Sequence, residues 1–156
     1  MRQFFIIFLV LSLITGLIAC DQKKVFEAYH KIDEKGWNKD SVVVFNVQLT
    51  DTTKNHNLYV NIRNKGTYPY SNLWLFLTVN SPDGKMRTDT VEFTLAEPSG
   101  KWKGSGIGDL HDNQILYKNS VYFPRKGDYK FMIKQGMRDN VLQGIRDVGF
   151  RVEKTY

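Results

Sequence analysis

From Ser41 onward, apolar and polar residues alternate along the chain with a period of two. In SVVVFNVQL (41–49), Val43, Phe45, Val47 and Leu49 share one face, and in LYVNIR (58–63) Leu58, Val60 and Ile62 do the same. A period of two puts alternate side chains on one side of a strand, so these segments read as strands with one buried face. NLWLFLTVN (72–80) carries Leu73, Leu75, Leu77 and Val79 on one face and Trp74 and Phe76 on the other. Apolar residues on both faces predict a central strand, with Trp74 and Phe76 filling the sandwich on its second side. SPDGK (81–85) is a turn: Pro82 presets φ, Asp83 bonds locally and Gly84 supplies positive φ, which predicts a hairpin into MRTDTVEFTL (86–95). ILYKNSVYF, DYKFMIK and RDVGFRVEK continue the alternation. About seven strands with no long amphipathic helix between them exclude βαβ units and predict an all-β fold, a single antiparallel β-sandwich.

The first forty residues break this rhythm. In DQKKVFEAYHKIDEKGWNKD (21–40), Val25, Phe26, Tyr29 and Ile32 fall at weak helical spacing and Gly36 ends the run. The segment reads as a polar tether with a short helical piece. Ahead of it, Arg2 precedes an apolar stretch from Phe4 to Ala19, interrupted only by Ser12, Thr15 and Gly16. That stretch has the form of a signal-peptide core and is short for a membrane span. It ends in LIAC (17–20), which resembles a bacterial lipobox: the signal is cleaved before the cysteine, and the cysteine takes the lipid. Cys20 is the only cysteine in the chain. The alternative is an uncleaved N-terminal membrane anchor. The expected organisation is a lipoprotein signal peptide at 1–19, a lipidated N-terminus and tether at 20–40, and the β-sandwich domain at 41–156. The membrane is then the first partner, reached through lipid on Cys20, and the protein is an exported, membrane-anchored lipoprotein of the cell envelope.

Charge and candidate chemistry narrow the function. The chain has 22 Lys and Arg against 16 Asp and Glu, a formal net charge of +6, and the basic residues are scattered. Scatter of this kind marks a solvated surface, and export argues against nucleic acid as a partner. With Cys20 committed to lipid, neither a disulfide nor thiol catalysis is available. The stretch KWKGSGIGDL (101–110) places Gly104, Gly106 and Gly108 near Lys101 and Lys103, as a phosphate cradle would. Its spacing fits neither GxGxxG nor GxxxxGK[ST], and it leads into a strand instead of a helix N-terminus. It reads as a wide loop between sheets, with Trp102 plugging a sheet edge, and no cofactor is expected. His30 lies in the tether and His56 in a polar turn; His111 has Asp109 and Asp112 beside it in DLHD, a spacing that matches no established metal pattern. No GxSxG elbow occurs and nothing selects a carboxylate pair, so no enzyme is expected. The aromatics Tyr68, Tyr70 and Trp102 remain as candidates for binding a partner. They leave two readings open: contact with other envelope proteins, or a glycan- or peptidoglycan-binding module.

Three blocks carry a resemblance. YPYSNLWLFL (68–77), DTVEFTLAEPSGKWKGSGIGDL (89–110) and GDYKFMIKQGMRDNVLQGIRDVGFRVEK (127–154), together with the LIAC–Asp start, resemble the GldH gliding-motility lipoproteins of Bacteroidetes-type bacteria. The resemblance implies a small, single-domain, non-enzymatic lipoprotein of the envelope, an accessory component of surface gliding and of type IX protein secretion. It implies other gliding and secretion envelope proteins as partners. Relatives also occur in bacteria that do not glide. Only Cys20 carries over as a functional position, as the site of lipidation. Oligomeric state is left open.

Overall fold

The computed structural model describes residues 21–155. It contains ten strands and, among the described residues, no helix. They are β1 (Lys24–Lys31), β2 (Trp37–Asn38), β3 (Val43–Leu49), β4 (His56–Lys65), β5 (Asn72–Asn80), β6 (Met86–Thr94), β7 (Leu110–Val121), β8 (Gly127–Gln135), β9 (Val141–Leu142) and β10 (Ile145–Lys154). One four-stranded sheet has the order β1-β10-β4-β7, the other β3-β8-β5-β6, and β2 and β9 form a two-stranded ribbon. Every pairing is antiparallel.

The sandwich follows from the alternation. Leu58, Val60 and Ile62 of β4 and Val148, Phe150 and Val152 of β10 face Val43, Phe45 and Val47 of β3, Leu73, Leu75 and Leu77 of β5, and Phe131 and Ile133 of β8. Aromatic rings join the two sheets: Phe150 lies 4.4 Å from Phe131 and 6.0 Å from Phe45, centroid to centroid. Phe123 extends the stack at 6.4 Å from Phe131. The expected SPDGK hairpin forms, with Gly84 at φ 79° and the Gly84 amide donating to the Ser81 carbonyl at 2.9 Å. The seven expected strands correspond to β3 through β8 and β10, and β5 is central, between β8 and β6.

The structure corrects the reading of residues 21–40. No helical piece forms, and most of the supposed tether belongs to the fold. β1 pairs with β10 along its length, Ile32 is buried, and Trp37 is 1% exposed. The register shifts between Lys24 and Phe26, a β-bulge. The bulge lets both Val25 and Phe26 pack against the core, which erases the period-two signature and leaves a spacing that mimics a helix. Gly36, at φ 105°, brings the chain so close to β9 that an added Cβ would lie 2.8 Å from the Leu142 carbonyl oxygen.

His56 also differs from expectation. It opens β4, is 1% exposed, packs its edge against Phe123, and neither ring nitrogen has a hydrogen-bond partner. Burial holds its pKa below the ordinary value, and the Asp51 charge offsets this only in part. In the unfolded chain the imidazole titrates near about 6.5. As pH falls, the unfolded state therefore takes up the proton first. The stability contributed by a neutral His56 is complete above that pH and is lost progressively below it. We expect the urea midpoint to be lower at about pH 5.5 than at about pH 7.5, and a His56→Phe variant to lose much of that difference.

Candidate functional site

The N-terminal end of β1 is held by a single guanidinium. Arg151, on the outer side of β10, is 9% exposed. Its Nε donates to Glu153 Oε1 at 2.7 Å, its Nη1 to Glu27 Oε2 at 2.9 Å, and its Nη2 to the Asp21 carboxylate. Burial works against the charged guanidinium, but the bonds to Asp21 and Glu153 and the charge of Glu27 outweigh it and hold Arg151 protonated more firmly than usual. The Arg151 hydrogen bond in turn holds the Asp21 carboxyl below its ordinary pKa. The backbone is fixed from the same point. The Lys24 amide donates to the Asp21 carbonyl at 3.2 Å, and the Lys154 amide to the Lys23 carbonyl at 2.8 Å. Cys20, the expected lipid site, lies immediately outside the described residues.

Tyr68, Tyr70 and Trp102 come together at the opposite end of the sandwich. Tyr70 meets Tyr68 edge-on at 5.8 Å, Tyr68 meets Trp102 at 6.3 Å, and Trp102 stacks on His111 at 5.6 Å. Tyr68 is buried and donates its hydroxyl to the Asn72 carbonyl at 2.8 Å; burial pushes the phenol well above its usual pKa. Tyr70 is partly exposed and donates to Asp139 Oδ2 at 2.8 Å, a bond that raises its pKa. Trp102 is half-buried and bridges Ala96 through its backbone. The rings therefore spend most of their faces on one another.

The glycine loop closes over this ladder. Ser105 and Asp112 exchange two backbone hydrogen bonds, at 3.1 and 2.6 Å. At Gly106 an added Cβ would lie 1.9 Å from the Leu110 carbonyl oxygen, so the glycine is there for close backbone approach. The DLHD trio disperses. Asp109 Oδ1 accepts from the Gly66 amide at 3.0 Å, Asp112 accepts from Arg63 Nε at 2.9 Å, and His111 stacks on Trp102. Among the described residues no three His, Cys, Asp or Glu side chains are grouped to hold a metal ion. A surface hollow of about 470 Å³ beside Trp37 contains Asp33 and Glu34. Asp33 caps its own turn by accepting from the Lys35 amide at 2.8 Å, and Glu34 reaches Lys31 at 3.7 Å.

Trp74 and Phe76 do not fill the sandwich. Both are 38% exposed, on the outer face of the β3-β8-β5-β6 sheet, where no second layer among the described residues covers them. Register places Phe76 between Lys134 and Thr90, Trp74 opposite Glu92, and Met132 between Val44 and Thr78. Val42, Val44 and Met86 are further exposed apolar side chains on or beside this face. The outer face of the other sheet is different in kind. There Arg63 lies 4.3 Å above the Tyr29 ring and pairs with Asp112, and Arg151 gathers its three carboxylates. One side of the sandwich is closed by its own ion pairs, and the other offers apolar area. The alternation in the sequence identified Trp74 and Phe76 as sharing a face; the missing signal was that no element among the described residues remains to cover them.

An all-strand sandwich after a cysteine-ended apolar stretch of sequence is the arrangement expected of a small exported lipoprotein. The family model described as GldH lipoprotein matches residues 24–152. The chain is 41% identical to a protein named "Gliding motility lipoprotein GldH homolog" from Christiangramia forsetii, over 99% of both chains. It is also 41% identical to "Gliding motility lipoprotein GldH" from Flavobacterium johnsoniae, over 88% of this chain and 89% of that one. The chain belongs to the GldH lipoprotein family. Solved structures that resemble it include a GH115 4-O-methyl-α-glucuronidase (TM-score 0.44, 12% identity, 88% of this chain and 18% of that one) and the infectious bursal disease virus VP2 subviral particle (TM-score 0.40, 12% identity, 88% and 34%). Scores this low carry no argument about function.

Proposed function

We propose that the protein is a non-enzymatic envelope lipoprotein, anchored by lipid on Cys20, that braces other proteins of the gliding and type IX secretion apparatus. The relatives' names support the gliding part of this reading. The observation that carries the bracing role is the outer face of β3-β8-β5-β6, with Trp74 and Phe76 exposed between Lys134, Thr90 and Glu92. Aromatic side chains in a shallow apolar patch with a polar rim are what protein–protein contacts favour.

The test is a Trp74→Ser, Phe76→Ser double variant. Both side chains are already partly exposed, so the purified protein should keep its unfolding free energy within about 1 kcal/mol of the parent. In cells it should accumulate normally and fail to support colony spreading. Normal spreading with this variant would remove the face from the mechanism.

A further inference from the structure

A lipoprotein domain usually hangs from its lipid on a flexible spacer, and the polar composition of residues 21–40 suggested one. The structure leaves almost no chain for it. The backbone is hydrogen-bonded from Asp21 onward, and Asp21 is itself held by Arg151. One peptide unit, about 3.8 Å between α-carbons, separates Asp21 from Cys20.

The same end of the sandwich gathers several loops. Register pairs Lys24 with Glu153, Lys154 with His56, His56 with Val121, and Leu49 with Gly127. Gln22, Lys23, Asp51, Lys54, Lys154 and Thr155 line one shallow hollow there. Three carboxylates of this end are occupied, Asp21 by Arg151, Asp51 by Thr53 and Lys154, and Asp83 by Lys85 and Arg125, while Asp128 is exposed beside Lys126. Exposed Lys24, Lys54 and Lys126 and the 60% exposed Tyr122 complete the rim.

We infer that the domain has no tether and is seated end-on against the anionic phospholipid headgroups of the leaflet that holds its lipid, with the Asp21–Arg151 clamp fixing its orientation. This rests on the reading that Cys20 is acylated. A lysine-rich rim with an amphipathic Tyr suits a headgroup surface, where ammonium groups meet phosphate and the aromatic ring enters the interface. Seated this way, the strands run away from the bilayer. Ten residues at about 3.3 Å each put Tyr70, Trp102 and the 97% exposed Ile107 roughly 30 Å from the membrane. The Trp74–Phe76 face then looks sideways along the membrane, toward neighbouring proteins.

The experiment uses the full chain, acylated and reconstituted in vesicles of phosphatidylcholine and phosphatidylglycerol that carry a headgroup-attached fluorescence quencher. With Cys20 acylated, Tyr122→Cys and Ile107→Cys each offer a single free thiol for a fluorophore. The label at 122 should be quenched severalfold more than the label at 107. A flexible Gly/Ser spacer inserted between Cys20 and Asp21 should remove most of that difference. Equal quenching of the two labels, in protein shown by mass spectrometry to carry its acyl chains, overturns the seating alone. Absence of acyl mass on Cys20 overturns the anchoring reading and the seating with it.

Discussion

Replacing Arg151 with Ala is expected to lower the unfolding free energy by about 2–3 kcal/mol and to release residues 21–31 from the sheet. Breaking a wholly buried ion pair costs about 3–5 kcal/mol, because a charge is left without compensation. Here the carboxylates of Glu27 and Glu153 are 21% and 15% exposed and that of Asp21 is 43% exposed, so water takes up part of the loss. Three carboxylates would then face one another with only the exposed Lys24, 3.5 Å from Glu27, as a nearby cation, on strands that must stay paired. β1 is an edge strand with a single partner, so it is the element that gives way. Urea unfolding should report the destabilisation, and hydrogen exchange should show faster exchange over β1 with the pairing of β4 and β7 unchanged. An Arg151→Lys variant should recover only part of the loss, since an ammonium cannot serve three carboxylates in the same planar geometry.

Phe131→Ala should be the more damaging substitution, at about 4 kcal/mol. The ring is 1% exposed and sits between Phe150 of the opposite sheet and Phe123 of the β7–β8 connection. Its removal leaves a cavity at the point where the two sheets meet, and rigid strands on both sides limit collapse into it. Domains of this size have about 5–15 kcal/mol of stability in total, so a loss of this order takes a large share and should reduce accumulation in the cell. Phe131→Leu keeps most of the volume and should cost less than about 1.5 kcal/mol. Equilibrium unfolding of the two variants side by side measures the difference.

The strands that could be read from the sequence were those whose apolar residues fall at every second position. β3, β4, β5 and β10 each turn such a set of residues into the core, and the SPDGK turn carries its own chemistry. β1 escaped because its bulge makes Val25 and Phe26 both half-buried, and that irregularity is set by pairing with a strand more than a hundred residues away. β2 and β9 have two residues each, too few for any period. They are held by long-range bonds, such as Gln143 Nε2 to the Lys35 carbonyl at 2.7 Å and the Lys39 amide to the Asn140 carbonyl at 2.9 Å. Tyr68, Tyr70 and Trp102 were identifiable as an aromatic set. Their packing against each other was not, because a loop's polarity says nothing of which rings turn inward. The exposure of Trp74 and Phe76 was hidden for a related reason: alternation tells which side chains share a face, and only the complete topology tells whether a layer covers it.

The central proposal is that this GldH family member acts in the envelope, through its lipid anchor, as a component of gliding and type IX secretion. Deletion of the gene in the bacterium that carries it, scored for colony spreading and for release of type IX cargo, tests this most directly. Loss of both functions, restored by the parent gene and not by a Cys20→Ala version, is the predicted result. A deletion strain that spreads and secretes normally would contradict it.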